Sequence, residues 1–92
     1  MNSTQRKTLE AIFSAPVPKN LEWSRIESLF RSIGCETIEG RGSRVSFKYR
    51  VFKDEAWVEH RVDFHRPHKQ KEALPYQIAD ARKFLTDIGI KP

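Results

Sequence analysis

A single cysteine, Cys35, stands among the 92 residues, so no disulfide can form within the chain and a cysteine-stapled framework is excluded. One free thiol suits a reducing compartment. No apolar run approaches the length of about 18 residues that a membrane-spanning helix needs, and no charged-then-apolar leader opens the chain. A cytoplasmic protein with no membrane contact is the expectation. Glycine is scarce, at four residues, and forms no Gly-rich phosphate loop. No cysteine pair has zinc-ligand spacing, and neither an internal repeat nor a low-complexity tract is present.

Positive charge is what the chain has in excess. Lys and Arg number 17 against 12 Asp and Glu, for a formal charge of +5 and an isoelectric point near 9.7. A pI above about 9 is the electrostatic footprint of a nucleic-acid binder, although the placement of the charges matters more than their sum. The length is that of one domain. A domain this small buries roughly 60–65% of the surface its unfolded chain exposes. It has room for one modest core but not for a deep cleft, so a site must lie in a surface groove or on a sheet face.

Residues 2–15 read as a helix, with Leu9, Ile12 and Phe13 on one stripe and Asn2 or Ser3 as its cap. Pro16 and Pro18 stop it. Residues 24–33 form the clearest helix: Ser24 and Glu27 have the spacing of a capping box, Ile26, Leu29, Phe30 and Ile33 make its apolar face, and Gly34 supplies the C-terminal cap. A short strand at 35–39 leads to the turn Gly40-Arg41-Gly42. Residues 43–51 alternate, with Val45, Phe47, Tyr49 and Val51 facing one way and Arg44, Ser46, Lys48 and Arg50 the other. A loop at 52–55 returns the chain into a strand at 56–64, whose Val58, Val62 and Phe64 lie opposite in parity to Trp57, Glu59, Arg61 and Asp63. His60 falls on the apolar side, which predicts a partly buried, hydrogen-bonded histidine. After the polar loop 65–73, a last helix begins near Leu74 with Pro75 in its first turn, and Leu74, Ile78, Ala81, Leu85 and Ile88 face the core. The order α-α-β-β-β-α implies an α+β fold, a three-stranded antiparallel sheet with helices on one face.

That arrangement leaves the other face of the sheet to Arg44, Ser46, Lys48, Arg50, Trp57, Glu59, Arg61 and Asp63. Solvated charge accounts for such a face as well as RNA binding does, and cross-strand pairs such as Lys48–Glu59 or Arg44–Asp63 would stabilise the hairpin by roughly 0.2–1 kcal/mol each. Two loops at one end of the sheet tip the balance, because Arg41, His65, Arg66, His68, Lys69 and Lys71 concentrate there the positive field that phosphates require. The candidate RNA-binding residues are Arg41, Arg44, Lys48, Arg50, Arg66 and Lys69. A four-residue hairpin loop would set Val51 opposite Ala56, Arg44 opposite Asp63 and Gly42 opposite His65. Arg44 and His65 would then be diagonal neighbours roughly 7–8 Å apart at the backbone. His65 and His68 lack any carboxylate or cysteine at ligand spacing, so neither a metal nor a cofactor is expected.

The helix Trp23-Ser24-Arg25-Ile26-Glu27-Ser28-Leu29, the turn Gly40-Arg41-Gly42-Ser43 with its following strand, and the block Phe64-His65-Arg66-Pro67-His68 before the last helix resemble the HicA family from about Trp23 to Ile90. Residues 1–92 then read as one HicA-like domain with 1–20 as an N-terminal helical extension. The resemblance implies a double-stranded-RNA-binding-like fold. It also implies an mRNA-cleaving toxin, an mRNA interferase of a toxin–antitoxin system, held inactive by a HicB-like antitoxin. Where the family pattern has a histidine after the glycine-serine pair, this chain has Arg44, so that residue's role does not carry over.

Cleavage of RNA without a metal uses the RNA's own 2′-hydroxyl as nucleophile. It needs a base for that proton, an acid for the leaving 5′-oxygen and cations for the phosphorane charge. Histidine suits the first two and arginine the third. With His60 turned to the core, the catalytic candidates are His65 first and His68 second. Two alternatives belong to other classes: a non-catalytic RNA-binding module on the same fold, and an interaction protein whose basic face meets an acidic protein partner. RNA decay separates the first reading from both, and salt-dependent RNA binding separates these two.

Overall fold

Asn2 opens the chain's first helix, α1 (Ser3–Ile12), with a reciprocal cap: its side chain accepts from the Gln5 backbone N–H at 2.8 Å while the Gln5 amide oxygen accepts from Asn2 N–H at 3.3 Å. The computed structural model describes residues Met1–Pro92. The elements that follow are α2 (Trp23–Ser32), β1 (Glu36–Glu39), β2 (Arg44–Lys53), β3 (Ala56–His65) and α3 (Pro75–Asp87). The fold is α+β, with the expected order and a three-stranded antiparallel sheet arranged β1-β2-β3.

The second helix departs from its expected start. Glu22, not Ser24, is the N-cap residue and makes no side-chain cap. The chain is pinned one step earlier, where Trp23 N–H donates to Lys71 C=O at 2.9 Å and Glu22 bridges to Glu72. Ser24 therefore lies inside the helix, and Glu27 is released from any capping role. Gly34 takes φ +100°, which the helix exit requires and which glycine alone adopts without strain.

Alternation on β2 buries Val45 and Phe47 on the helix side. Phe47 is fully buried, edge-to-face with Phe30 at 4.9 Å and with Phe64 at 6.2 Å. Leu29, Phe30, Ile78 and Leu85 share this core, with Tyr49 and Val62 packed at its margin. The N-terminal helix, read from the sequence as an extension, contributes Leu9 and Ile12 to that same core. Phe84 and Gln77 join the buried side of α3.

The hairpin between β2 and β3 is tighter than expected. Only Asp54 and Glu55 turn the chain, both with positive φ (53° and 63°), and the ladder continues through Phe52↔Trp57 and Lys53↔Ala56. Relative to a four-residue loop the register moves by two. A shift of two keeps every side chain on its own face, because the side-chain period is two, but it changes which residues meet. Arg44 lies directly opposite His65, Ser46 opposite Asp63, Lys48 opposite Arg61 and Arg50 opposite Glu59. The anticipated Lys48–Glu59 pair survives as a diagonal contact at 3.8 Å. The anticipated Arg44–Asp63 pair does not form, because Asp63 instead accepts from Ser46 Oγ and from Arg61 Nε at 2.9 Å.

Candidate nucleic-acid interface

The open face of the sheet ends, on the side away from the hairpin, in a compact group. His65 is the last residue of β3, and its ring Nδ1 lies 3.3 Å from Ser43 Oγ. The backbone beneath it is held from two directions. Buried Gln77 donates from Nε2 to His65 C=O at 2.7 Å, and Arg66 N–H donates to Ser43 C=O at 2.8 Å. The ring thus stands on a rigid strand end and is oriented by a hydroxyl, with Nε2 left free. Where Nδ1–H donates to Ser43 Oγ, the free Nε2 carries the lone pair that proton abstraction needs.

Arg44 stands across from His65 and is exposed, with no ion pair within 4 Å. Gly40 allows the turn to close on it: a Cβ at Gly40 would meet Arg44 Cβ at 2.9 Å. Arg41, at the tip of that turn, is exposed and unpaired as well. Beside His65 lies a shallow concavity of about 380 Å³ whose walls include His68, Lys69 and Tyr76. The two candidate histidines therefore border one depression. Tyr76 is 57% exposed at the start of α3, off the apolar stripe of that helix. It is an aromatic side chain that the core does not use.

The remaining candidates divide. Lys48 and Arg50 share one carboxylate, Glu59, at 3.8 Å each, which leaves a net positive charge on that patch. Arg61 is tied to Asp63 and to Ser46. These hydrogen bonds, from Ser46 first and Arg61 second, hold the Asp63 carboxyl below its usual range.

Arg66, expected among the phosphate-binding residues, is instead the centre of an ion-pair network. Its guanidinium forms two forked contacts, with Glu27 at 2.7 and 3.1 Å and with Glu39 at 2.7 and 2.9 Å. Glu27 also accepts from the Trp23 indole N–H and from Arg31. Burial pushes the Glu27 carboxyl up, but the hydrogen bonds from Arg66 and Trp23 and the charges of Arg66 and Arg31 outweigh it and hold the group low. The paired carboxylates in turn raise the Arg66 pKa. Arg66 thus ties the loop after β3 to α2 and β1, with little donor capacity left for a phosphate.

His60 is half-buried on the helix side, as its parity required, near Asp80, Lys83 and Asp87. It has no side-chain hydrogen bond, contrary to expectation. Burial pushes the Cys35 thiol up to about 12, which keeps it protonated. No three His, Cys, Asp or Glu side chains converge as a metal-ligand group, and no helix is long and apolar enough to cross a membrane. Comparison with protein-family models, with curated proteins and with solved structures gives no match to this chain.

Proposed function

We propose that this protein binds RNA across its open sheet face and basic loop end and cleaves it there, as an mRNA-directed toxin of the HicA type on a double-stranded-RNA-binding-like fold. The observation that carries the reading is the opposition of Arg44 and His65 across one strand pair, with His65 oriented by Ser43. In the proposed reaction His65 Nε2 takes the proton of a 2′-hydroxyl. The 2′-oxygen attacks the adjacent phosphorus, Arg44 neutralises the phosphorane oxygens, and the P–O5′ bond breaks as the 5′-oxygen takes a proton from His68, which borders the same concavity. The products are a 2′,3′-cyclic phosphate and a free 5′-hydroxyl. Arg41 and Lys69 would hold flanking phosphates, with Lys48 and Arg50 extending the positive track.

A toxin of this kind has to be neutralised in the cell that makes it. An acidic, HicB-like antitoxin would cover Arg44, Lys48 and His65, with charge complementarity speeding the encounter. One observation favours a second reading, RNA binding without cleavage: position 44 holds arginine where the family pattern has histidine.

Incubating the purified protein with RNA in the presence of a chelator, and mapping the ends produced, tests the proposal. Cleavage with cyclic-phosphate ends that persists under chelation is expected. Intact RNA that is bound but never cut would move the conclusion to the second reading.

A further inference from the structure

The hairpin end of the sheet carries exposed aromatic surface that neither the core nor the His65 site uses. Phe52 is 59% exposed and Trp57 67% exposed. They sit directly opposite each other in the β2–β3 ladder and pack edge-to-face, with ring centroids 5.2 Å apart and planes at 79°. Edge-to-face attraction explains why the two rings pair but not why both remain in water. By parity both belong to the open face, the one that carries Arg50, Lys48 and Arg44 towards His65. From Trp57 to His65 is eight strand residues, about 26 Å at the rise of an extended strand. The turn beyond Trp57 ends in Asp54 and Glu55, whose charges repel phosphate, so a bound backbone would run from the aromatic pair back along the cations and not past the tip.

We propose that Trp57, held by Phe52, is a base-stacking platform, and that the open face therefore takes single-stranded RNA with one unpaired base on the indole. The inference rests on the RNA-binding reading of that face and narrows its ligand. An exposed ring can stack only on a base whose face is free, whereas in a duplex every base face is covered by its neighbours. A row of cations ending in an aromatic platform is the arrangement that tracks a flexible strand.

The test uses the full-length chain and two probes: a fluorescein-labelled 2′-O-methyl oligouridylate, which lacks the hydroxyl that cleavage needs, and a 2′-O-methyl duplex of the same length. Trp57→Ala should weaken single-strand binding about 5- to 150-fold, Trp57→Phe should retain most of it, and duplex binding should be weaker than single-strand binding in the parent. Trp57 emission should be quenched by the oligouridylate, and Trp57→Phe should abolish that quench, since Trp23 is buried. Unchanged single-strand affinity in Trp57→Ala, beside a loss in Arg44→Gln, would overturn the stacking platform and leave the RNA-binding face standing. A parent protein that binds neither probe would overturn the RNA reading itself. Loss of a concentration-dependent dimer in Trp57→Ala, with RNA affinity unchanged, would assign the aromatic pair to self-contact and overturn the proposal.

Discussion

Arg44 and His65 face each other at the last rung of the β2–β3 ladder, and the His65 ring is tethered at 3.3 Å to Ser43, the residue that precedes Arg44. A cation and an oriented imidazole are thereby brought to the same strand end, each without a carboxylate partner. Their backbones are locked by ladder pairing and by Gln77, so a ligand would meet them already arranged.

Removing His65 should separate chemistry from binding. His65→Ala should lower RNA cleavage by roughly 10²–10⁴-fold, the range for one acid–base group, while affinity stays close to that of the parent. Ser43→Ala should cost less, because the hydroxyl orients the ring and transfers no proton itself. His68→Ala should also cost less than His65→Ala. Single-turnover cleavage rates decide the matter, and a His65→Ala protein that cuts RNA as fast as the parent would remove His65 from the mechanism.

The unpaired cations and the paired one should behave differently. Arg41→Gln, Arg44→Gln and Lys69→Gln should each lower RNA affinity and reduce the slope of log affinity against log salt by about 0.7–1, with thermal stability nearly unchanged. Arg66→Gln should instead destabilise the fold by roughly 2–3 kcal/mol, less than the loss of a fully buried partner, because the Arg66 side chain is 32% exposed while Glu27 is only 9% exposed. Parallel salt titrations and denaturant melts check both halves. A stable Arg66→Gln protein with a reduced salt slope would return Arg66 to the binding face.

Acid should unfold the protein through Glu27. Its folded-state pKa lies below the ordinary value of 4.5, as Asp63 lies below 3.8. A carboxylate depressed in the folded state contributes stability above its unfolded pKa, and that contribution is lost as pH falls through the folded pKa. Stability should therefore hold down to about pH 4.5 and decline below it. Glu27→Gln should be less stable at neutral pH and should show a flatter acid limb. Urea midpoints between pH 7 and pH 3 measure the slope, and an identical slope in parent and variant would exclude Glu27 as its source.

The aromatic core should be intolerant of truncation. Phe47 is fully buried and touches the rings of Phe30 and Phe64. Phe47→Ala should cost about 3–5 kcal/mol. Exposed Tyr76→Ala should change stability by about 0.5 kcal/mol or less, so equal losses for the two would contradict the packing described.

Much of the site was legible because alternation depends only on local backbone geometry. Arg44, Lys48 and Arg50 had to share a face opposite Val45 and Phe47, whatever the register. His60 had to turn inward and His65 outward by the same rule. What alternation cannot supply is which residues lie beside each other on neighbouring strands. A two-residue turn made of Asp54 and Glu55, both in the left-handed region, carries none of the Asn-Gly or Gly signals by which such turns are recognised. Ten ladder pairs outweigh the cost of that turn, and they moved Arg44 from a diagonal to a direct partner of His65.

The amino-acid order by itself determined the class of fold, the helical and extended segments, the two faces of the sheet and the basic loop end. Each of these follows from periodicity, capping or stop signals acting over a few residues. Only the tertiary structure decided the fate of individual charges. Arg66 stands in a basic loop, next to His65 and close to His68 and Lys69, and nothing local sets it apart. It becomes a clamp between α2 and β1 because folding brings it to Glu27, 39 positions earlier, and Glu39, 27 positions earlier. Arg44 meets no carboxylate because Asp63 is taken by Ser46 and Arg61. Long-range pairing of charges depends on chain closure, and no local pattern encodes it.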